Sequence, residues 1–217
     1  KKGGAKNTDL ALQAHNNNAG LPAIFETKNK LDVARAAKIG KEFKFPFIIT
    51  ASGKEYEQLS SLKALNARLL VPVNFPKAYD VTDPVSTQKI ALSDMRYWNQ
   101  APANPAKVAA AGIPFALTTH GLSNKGSFFI HLKKAVAYGL KESEALAALT
   151  TVPAKMIKKD KLLGQLKKGA LANFIVTDGP LFSDATHVEV IWVKGSRHKI
   201  IHKQDINIDG KYSLMLQ

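Results

Sequence analysis

Cysteine is absent from the 217-residue chain. Its absence excludes disulfide frameworks, zinc ribbons, iron–sulfur ligation and catalysis by a thiol. Long hydrophobic runs are absent too, since no uninterrupted apolar stretch approaches the roughly 20 residues that cross a bilayer. The first residues, 1–6, lead into polar sequence rather than into a hydrophobic signal core. We therefore expect no membrane partner, and the 45% apolar content is that of a folded globular protein.

Acidic residues are scarce, with 17 Asp and Glu against 31 Lys and Arg, and the formal net charge is +14. Such an excess raises nucleic acid as a partner. The lysines, however, are scattered over different predicted elements and lack the interleaved aromatic residues of a single-strand binder. We expect a solvated, lysine-rich surface and no nucleic acid. A basic nucleic-acid-binding module stays as an alternative, which salt-sensitive retention on heparin would reveal.

From Leu21 onward, short apolar runs alternate with amphipathic segments of helical length, which is typical of βα units on a parallel sheet. Four strands are predicted, at 21–27, 45–50, 69–73 and 113–118. Helices are predicted at about 31–43, 56–66, 105–111, 128–138 and 143–150. Residues 74–105 contain four prolines and little periodicity, and they are predicted to form a mobile, lid-like loop. Beyond Gly164, strands at 173–177, 188–193 and around 199–201 predict a small β domain.

Two motifs near the C-terminal end carry a family resemblance. Residues 145–155 read ALAALTTVPAK, and residues 163–178 read LGQLKKGALANFIVTD. They resemble the end of amidohydrolase-superfamily proteins, particularly imidazolonepropionase-like members, in which a helix with "alt.nPA" precedes "lG.l..Gk.AD.vv.d". Residues 112–121 resemble the eighth barrel strand of the family, and residues 190–195 its closing strand and turn. The resemblance covers most of the chain from about Leu21.

The resemblance implies an α/β fold, namely the C-terminal half of a TIM-type (βα) barrel followed by a small, β-sandwich-like composite domain. Residues 1–20 would be a lead-in segment, 21–160 the half-barrel and 161–217 the small β domain. A half-barrel exposes strand edges and an apolar interior. The expected partner is therefore the upstream half of the same polypeptide or a second copy of the chain, together with a small-molecule substrate.

The family uses a divalent metal (zinc, iron or manganese in intact members) to lower the pKa of a bound water toward about 7. It takes a His-x-His pair from strand one, histidines from strands five and six, and an aspartate from strand eight. No His-x-His occurs in this chain. By resemblance, Glu26 replaces the strand-five histidine, residues 49–53 at the end of strand six contain no imidazole, and His120 stands at the strand-eight aspartate. We expect no metal bound by this chain alone.

Active sites on such barrels form at the C-terminal ends of the strands. The catalytic candidates are His120 and Glu26, because an imidazole can exchange a proton near neutral pH and a carboxylate is a hard oxygen ligand. Two dispersed groups are fewer than the about three or four protein ligands that a zinc site needs. The pocket candidates at the same strand ends are Thr27, Ser52, Asn74 and Thr119.

The function implied is a fragment of a metal-dependent hydrolase acting on C–N bonds other than peptide bonds, on a cyclic amide or imide. The fragment is expected to be inactive alone because metal ligands are missing. The alternative is a degenerate, non-catalytic barrel with a scaffolding or ligand-binding role. The metal content of the protein distinguishes the two hypotheses.

Overall fold

The structure is a computed structural model that describes residues 9–18, 21–45, 47–82 and 88–200. Its described residues up to Gln165 form one compact unit, and those from Leu166 to Ile200 form a second. The helices are α1 (Leu10–Asn17), α2 (Lys30–Glu42), α3 (Leu59–Ala64), α4 (Leu92–Gln100), α5 (Asn104–Ala110), α6 (Phe128–Ala137), α7 (Glu142–Leu149) and α8 (Thr151–Met156). The strands are β1 (Ile24–Glu26), β2 (Ile48–Thr50), β3 (Arg68–Pro72), β4 (Phe115–Thr118), β5 (Phe174–Thr177), β6 (Val188–Val193) and β7 (Ser196–Lys199).

The first unit is built on a four-stranded parallel sheet in the order β1-β2-β3-β4. Because consecutive parallel strands are neighbours, their carboxyl ends meet at one edge of the sheet. The core lies where the strands meet the helices, and its fully buried members include Ile48, Leu69, Val33, Leu62 and Leu132. The predicted α/β class with a parallel sheet is confirmed.

The first two strands are shorter than the sequence predicted, since β1 and β2 each contain three residues. A proline stands two positions before each of them, at Pro22 and Pro46. Proline has no amide hydrogen to donate to a neighbouring strand, so regular pairing of β1 begins only after Pro22. Pro46 lies outside the described residues. The strand ends that carry the candidate residues are unaffected.

The prediction of one lid-like loop over 74–105 was wrong from Leu92 onward. Residues 73–82 have no regular structure, but α4 and α5 follow, joined by a short 3₁₀ helix at Ala101–Ala103. Pro102 and Pro105 stand in first turns, where a missing amide hydrogen costs nothing. Helix α4 buries none of its residues, so it leaves little apolar periodicity in the sequence. Residues 83–87 of the predicted loop lie outside the described residues.

The second unit contains an antiparallel sheet in the order β5-β6-β7. Lys194 and Gly195 join β6 to β7 with φ angles of +50° and +85°. Two positive φ angles are those of a type I′ hairpin turn. Phe174 stacks on Trp192 with ring centroids 5.5 Å apart. None of the described helices in either unit is long and apolar enough to cross a membrane.

Gly164 is expected to tolerate no side chain. Its φ is +80°, and an added Cβ would lie 2.5 Å from the carbonyl oxygen of Thr150. Gly164→Ala should lower the free energy of unfolding by about 2–4 kcal/mol, from left-handed strain and a clash with backbone. Gly112→Ala is the control, because Gly112 has φ +70° and only the tip of Lys63 within 4 Å. It should cost about 1 kcal/mol in urea unfolding, and equal losses for the two variants would contradict the clash.

Candidate functional site

The carboxyl edge of the parallel sheet holds the six residues that the sequence proposed. Glu26, Asn74 and His120 are exposed, Ser52 and Thr119 are half-buried, and Thr27 is buried. The Thr27 hydroxyl donates to the Thr50 carbonyl at 2.5 Å, which ties the end of β1 to β2.

The turn after β4 lies against the end of β3. A Cβ added at Gly121 would lie 2.8 Å from the side-chain nitrogen of Asn74. Asn74 is thereby brought close to the residue that follows His120. The contacts that the structure describes for His120 are local, since its amide donates to the Thr118 hydroxyl at 3.2 Å. The two catalytic candidates, His120 and Glu26, therefore share no hydrogen bond or ion pair among the described residues.

Glu55 is an ionisable residue near the candidate site that the sequence analysis did not name. It is fully buried at the start of the short 3₁₀ helix Glu55–Glu57 that follows β2, and its carboxylate accepts hydrogen bonds from the turn that contains Ser52. The donors are Ser52 N at 2.6 Å, Ser52 Oγ at 2.8 Å, Gly53 N at 3.1 Å and Asn104 Nδ2 at 2.8 Å. A Ser-Gly pair placed two and three residues before an acidic residue was the available signal, because such short turns offer free amides to a carboxylate.

Asn104 extends this cluster to a second helix. Its side-chain oxygen accepts from the amide of Tyr56 at 2.9 Å, while its nitrogen donates to Glu55. Tyr97, on α4, packs against the turn of the cluster, because its hydroxyl would lie 3.1 Å from a Cβ added at Gly53. Burial, and secondarily the negative charge of Glu55, raises the pKa of the Tyr97 phenol. The cluster joins the β2 turn to α4 and α5.

The metal that the family uses does not fit the residues present. Over the part of the chain that the structure describes, no group of three or more His, Cys, Asp or Glu side chains could hold an ion. The Glu55 carboxylate is surrounded by hydrogen-bond donors, which are the wrong neighbours for a cation. Glu26 and His120 are exposed and do not converge. A metal site would need ligands from other residues.

The side chain of His131, on α6, packs against Phe75 with ring centroids 5.6 Å apart. Its Nδ1 atom is buried and has no hydrogen-bond partner among the described residues. Burial, followed by the nearby charge of Lys134, lowers the pKa of His131 below its usual 6.5. Its described contacts are those of a packing residue.

Acidification should destabilise the fold through His131. Because the pKa of His131 is lowered in the folded state, the unfolded chain binds a proton more readily than the folded chain does. The contribution of His131 to the free energy of unfolding is therefore fully present above pH 6.5 and declines as the pH falls below that value. His131→Phe should reduce the loss of melting temperature between about pH 7 and about pH 5. His198→Phe, on the exposed strand β7, is the control. An unchanged pH profile for His131→Phe would exclude the effect.

A model of the amidohydrolase family matches residues 29–206, which is most of the chain. The chain belongs to the amidohydrolase family. Its structure is similar to that of an amidohydrolase from Thermotoga maritima MSB8, with 22% identity and a TM-score of 0.67. The match covers 89% of this chain and 48% of the Thermotoga protein. The predicted superfamily is thus confirmed.

Two further solved structures share the fold of this amidohydrolase-family chain. A Xaa-Pro dipeptidase with bound methionine in its active site is 15% identical with a TM-score of 0.60, over 87% of this chain and 47% of its own. The ochratoxinase of A. niger is 19% identical with a TM-score of 0.59, over 87% and 43%. No curated protein sequence matches the chain. The chain spans about half the length of the structures that it resembles.

Proposed function

We propose that this chain is the C-terminal half of the barrel, with part of the small composite β domain, of a metal-dependent hydrolase. The hydrolase would act on C–N bonds other than peptide bonds, in a cyclic amide or imide. The observation that carries the proposal is the parallel sheet, whose polar carboxyl edge matches the face on which such barrels hold their active sites. The proposed bounds are 1–20 for the lead-in, 21–160 for the half-barrel and 161–217 for the small β domain.

The open edge of β1 supports the proposal that further barrel strands pair with this chain. All three residues of β1 are exposed, with Ile24 at 59% and Phe25 at 38%, although an inner strand of a parallel barrel is normally covered on both sides. In an eight-stranded barrel the preceding strand would pair with this edge. The chain also spans 48% of the Thermotoga amidohydrolase. The proposed partner is therefore the upstream half of the same polypeptide, with a small-molecule substrate between the halves.

The metal test separates this function from its alternative. The 217-residue chain alone is expected to bind less than stoichiometric zinc, manganese or iron and to hydrolyse no hydantoin or dihydropyrimidine. The longer polypeptide that supplies the preceding strands should bind the metal and hydrolyse such a substrate. Elemental analysis and product detection measure the two properties. Robust metal-dependent hydrolysis by the chain alone would overturn the proposal that it is an inactive half.

A degenerate barrel with a ligand-binding role is the second candidate. The buried Glu55 cluster favours it, because a carboxylate at the active-site edge is fully occupied by hydrogen bonds within the chain. A longer polypeptide that binds ligands but neither metal nor hydrolysable substrate would support this candidate over the hydrolase.

A further inference from the structure

A cavity of about 490 Å³ opens at the carboxyl ends of β1 and β2. Three segments that are distant in sequence line it: residues 28–31 after β1, residues 52–57 after β2, and Ser93 and Arg96 of α4. We call it the basic cavity, because its lining contains four cationic side chains and one carboxylate, from Glu57. It lies on the face of the sheet where barrels of this class bind their substrates.

The cationic charge of the basic cavity is only partly compensated. Glu57 forms an ion pair with Lys30, which accounts for the single carboxylate and one of the four cations. Lys28, Lys54 and Arg96 then have no anionic partner among the described residues. Three like charges around one cavity repel each other, and a bound anion would relieve that repulsion.

One of these cations, Lys54, is held by a contact with an aromatic ring. The Lys54 ammonium lies 4.6 Å from the centre of the Tyr97 ring. Arg96 precedes Tyr97 on α4, so the helix that supplies this ring also supplies another cation of the cavity. The Tyr97 hydroxyl in turn approaches Gly53 beside the Glu55 cluster. The buried cluster therefore acts as a rigid support for one wall of the cavity.

The segment after β1 that lines the basic cavity includes the beginning of α2. Asn29 caps this 13-residue helix by accepting from the amides of Leu31 and Asp32. The positive end of the helix dipole thus adds to the charge beside Lys28. The Asp32 carboxylate opposes it, but is engaged by the Asn29 side chain and Arg35.

We propose that the basic cavity is a subsite for a small organic anion, whose carboxylate or phosphate group is bound by Lys28, Lys54 and Arg96. The hydroxyl group of Ser93 supplies a neutral hydrogen bond, and the Tyr56 ring offers an apolar wall for the body of the ligand. The interpretation of this anion as part of a substrate rests on the proposed function. The subsite would give the hydrolase a substrate with an anionic group apart from its C–N bond.

Binding is tested without turnover, by titrating the isotope-labelled 217-residue chain and following its ¹⁵N–¹H correlation spectrum. The carboxylate probe is N-acetyl-L-alanine, the phosphate probe is inorganic phosphate, and the neutral control is N-acetyl-L-alaninamide. The anionic probes should shift the amides of residues 28–31, 52–57 and 93–96, and the neutral amide should not. The tighter of the two anionic probes identifies the group that the site recognises. Raising the salt from about 50 mM to about 500 mM should weaken both.

Matched double variants separate a local site from the overall positive charge. Lys28→Gln/Arg96→Gln should weaken binding of the preferred anion about tenfold, since two charge-assisted contacts are lost. Lys125→Gln/Lys161→Gln removes the same charge from exposed positions outside the cavity and should change the affinity less than about twofold. The spectra themselves verify that each variant is folded.

Shifts spread over all surface lysines, equal losses in the two double variants, or equal binding of the neutral amide would overturn the subsite. Its failure is distinguishable from that of the proposed function. Anion binding at residues 28–31 and 52–57 without any hydrolysis by the longer polypeptide would contradict the proposed hydrolase function and support the subsite. Hydrolysis without anion binding would support the hydrolase function and contradict the subsite.

Discussion

Glu55→Ala is expected to lower the free energy of unfolding by about 3–5 kcal/mol, the largest effect of any single substitution considered for this chain. The carboxylate is fully buried and accepts hydrogen bonds from four donor groups, on Ser52, Gly53 and Asn104. Its removal leaves a cavity and several buried donors without acceptors, and each unsatisfied donor costs about 1–3 kcal/mol. Urea unfolding followed by circular dichroism, at one fixed protein concentration, measures the loss.

Glu57→Ala is the matched control for this prediction. Glu57 lies two residues away on the same 3₁₀ helix, but it is exposed and forms an ion pair with Lys30 at the surface. Its removal should cost less than about 1 kcal/mol. A double-mutant cycle with Asn104→Ala should show a coupling of about 1–3 kcal/mol to Glu55 and none to Glu57. A loss below about 1 kcal/mol for Glu55→Ala would show that the cluster is not a structural support.

The isolated chain is expected to self-associate at micromolar concentration, as a species of twice the 23.6 kDa of one chain. The physical reason is the uncovered edge of β1, where Ile24 and Phe25 present apolar side chains and unpaired backbone groups to solvent. A two-fold arrangement would bring two four-stranded sheets together and supply eight strands. Sedimentation velocity and light scattering measure the mass.

Ile24→Lys should shift this association toward the monomer by about tenfold or more in dissociation constant, because a lysine on an edge strand opposes pairing. Ile130→Lys is the control, since Ile130 is an isoleucine of similar exposure, 69% against 59%, on helix α6. It should leave the dissociation constant almost unchanged. A cooperatively folded monomer of the unmodified chain at micromolar concentration would contradict the prediction.

The strand ends of the parallel sheet could be predicted because they depend on local pattern. Apolar runs of strand length, each followed by a helical period, indicated the order of β1 to β4 and which residues stand at their carboxyl ends. The helix α4 escaped prediction because none of its residues is fully buried, so that no buried apolar stripe marks it. The motifs at 145–155 and 163–178 were sufficient to indicate the family, and the structure explains one of them: Gly164 packs against the Thr150 carbonyl.

The sequence by itself determined the βα alternation, the family and the absence of a His-x-His pair and of cysteine. These follow from residue identity and from spacing along the chain. Only the tertiary structure decided that Glu55 and Asn104, 49 residues apart, share a buried hydrogen bond, and that Lys28, Lys54 and Arg96 line one cavity. The reason is that hydrogen bonds act over about 3 Å in space and screened Coulomb interactions over about 10 Å, so their partners are set by how the helices pack on the sheet rather than by sequence distance.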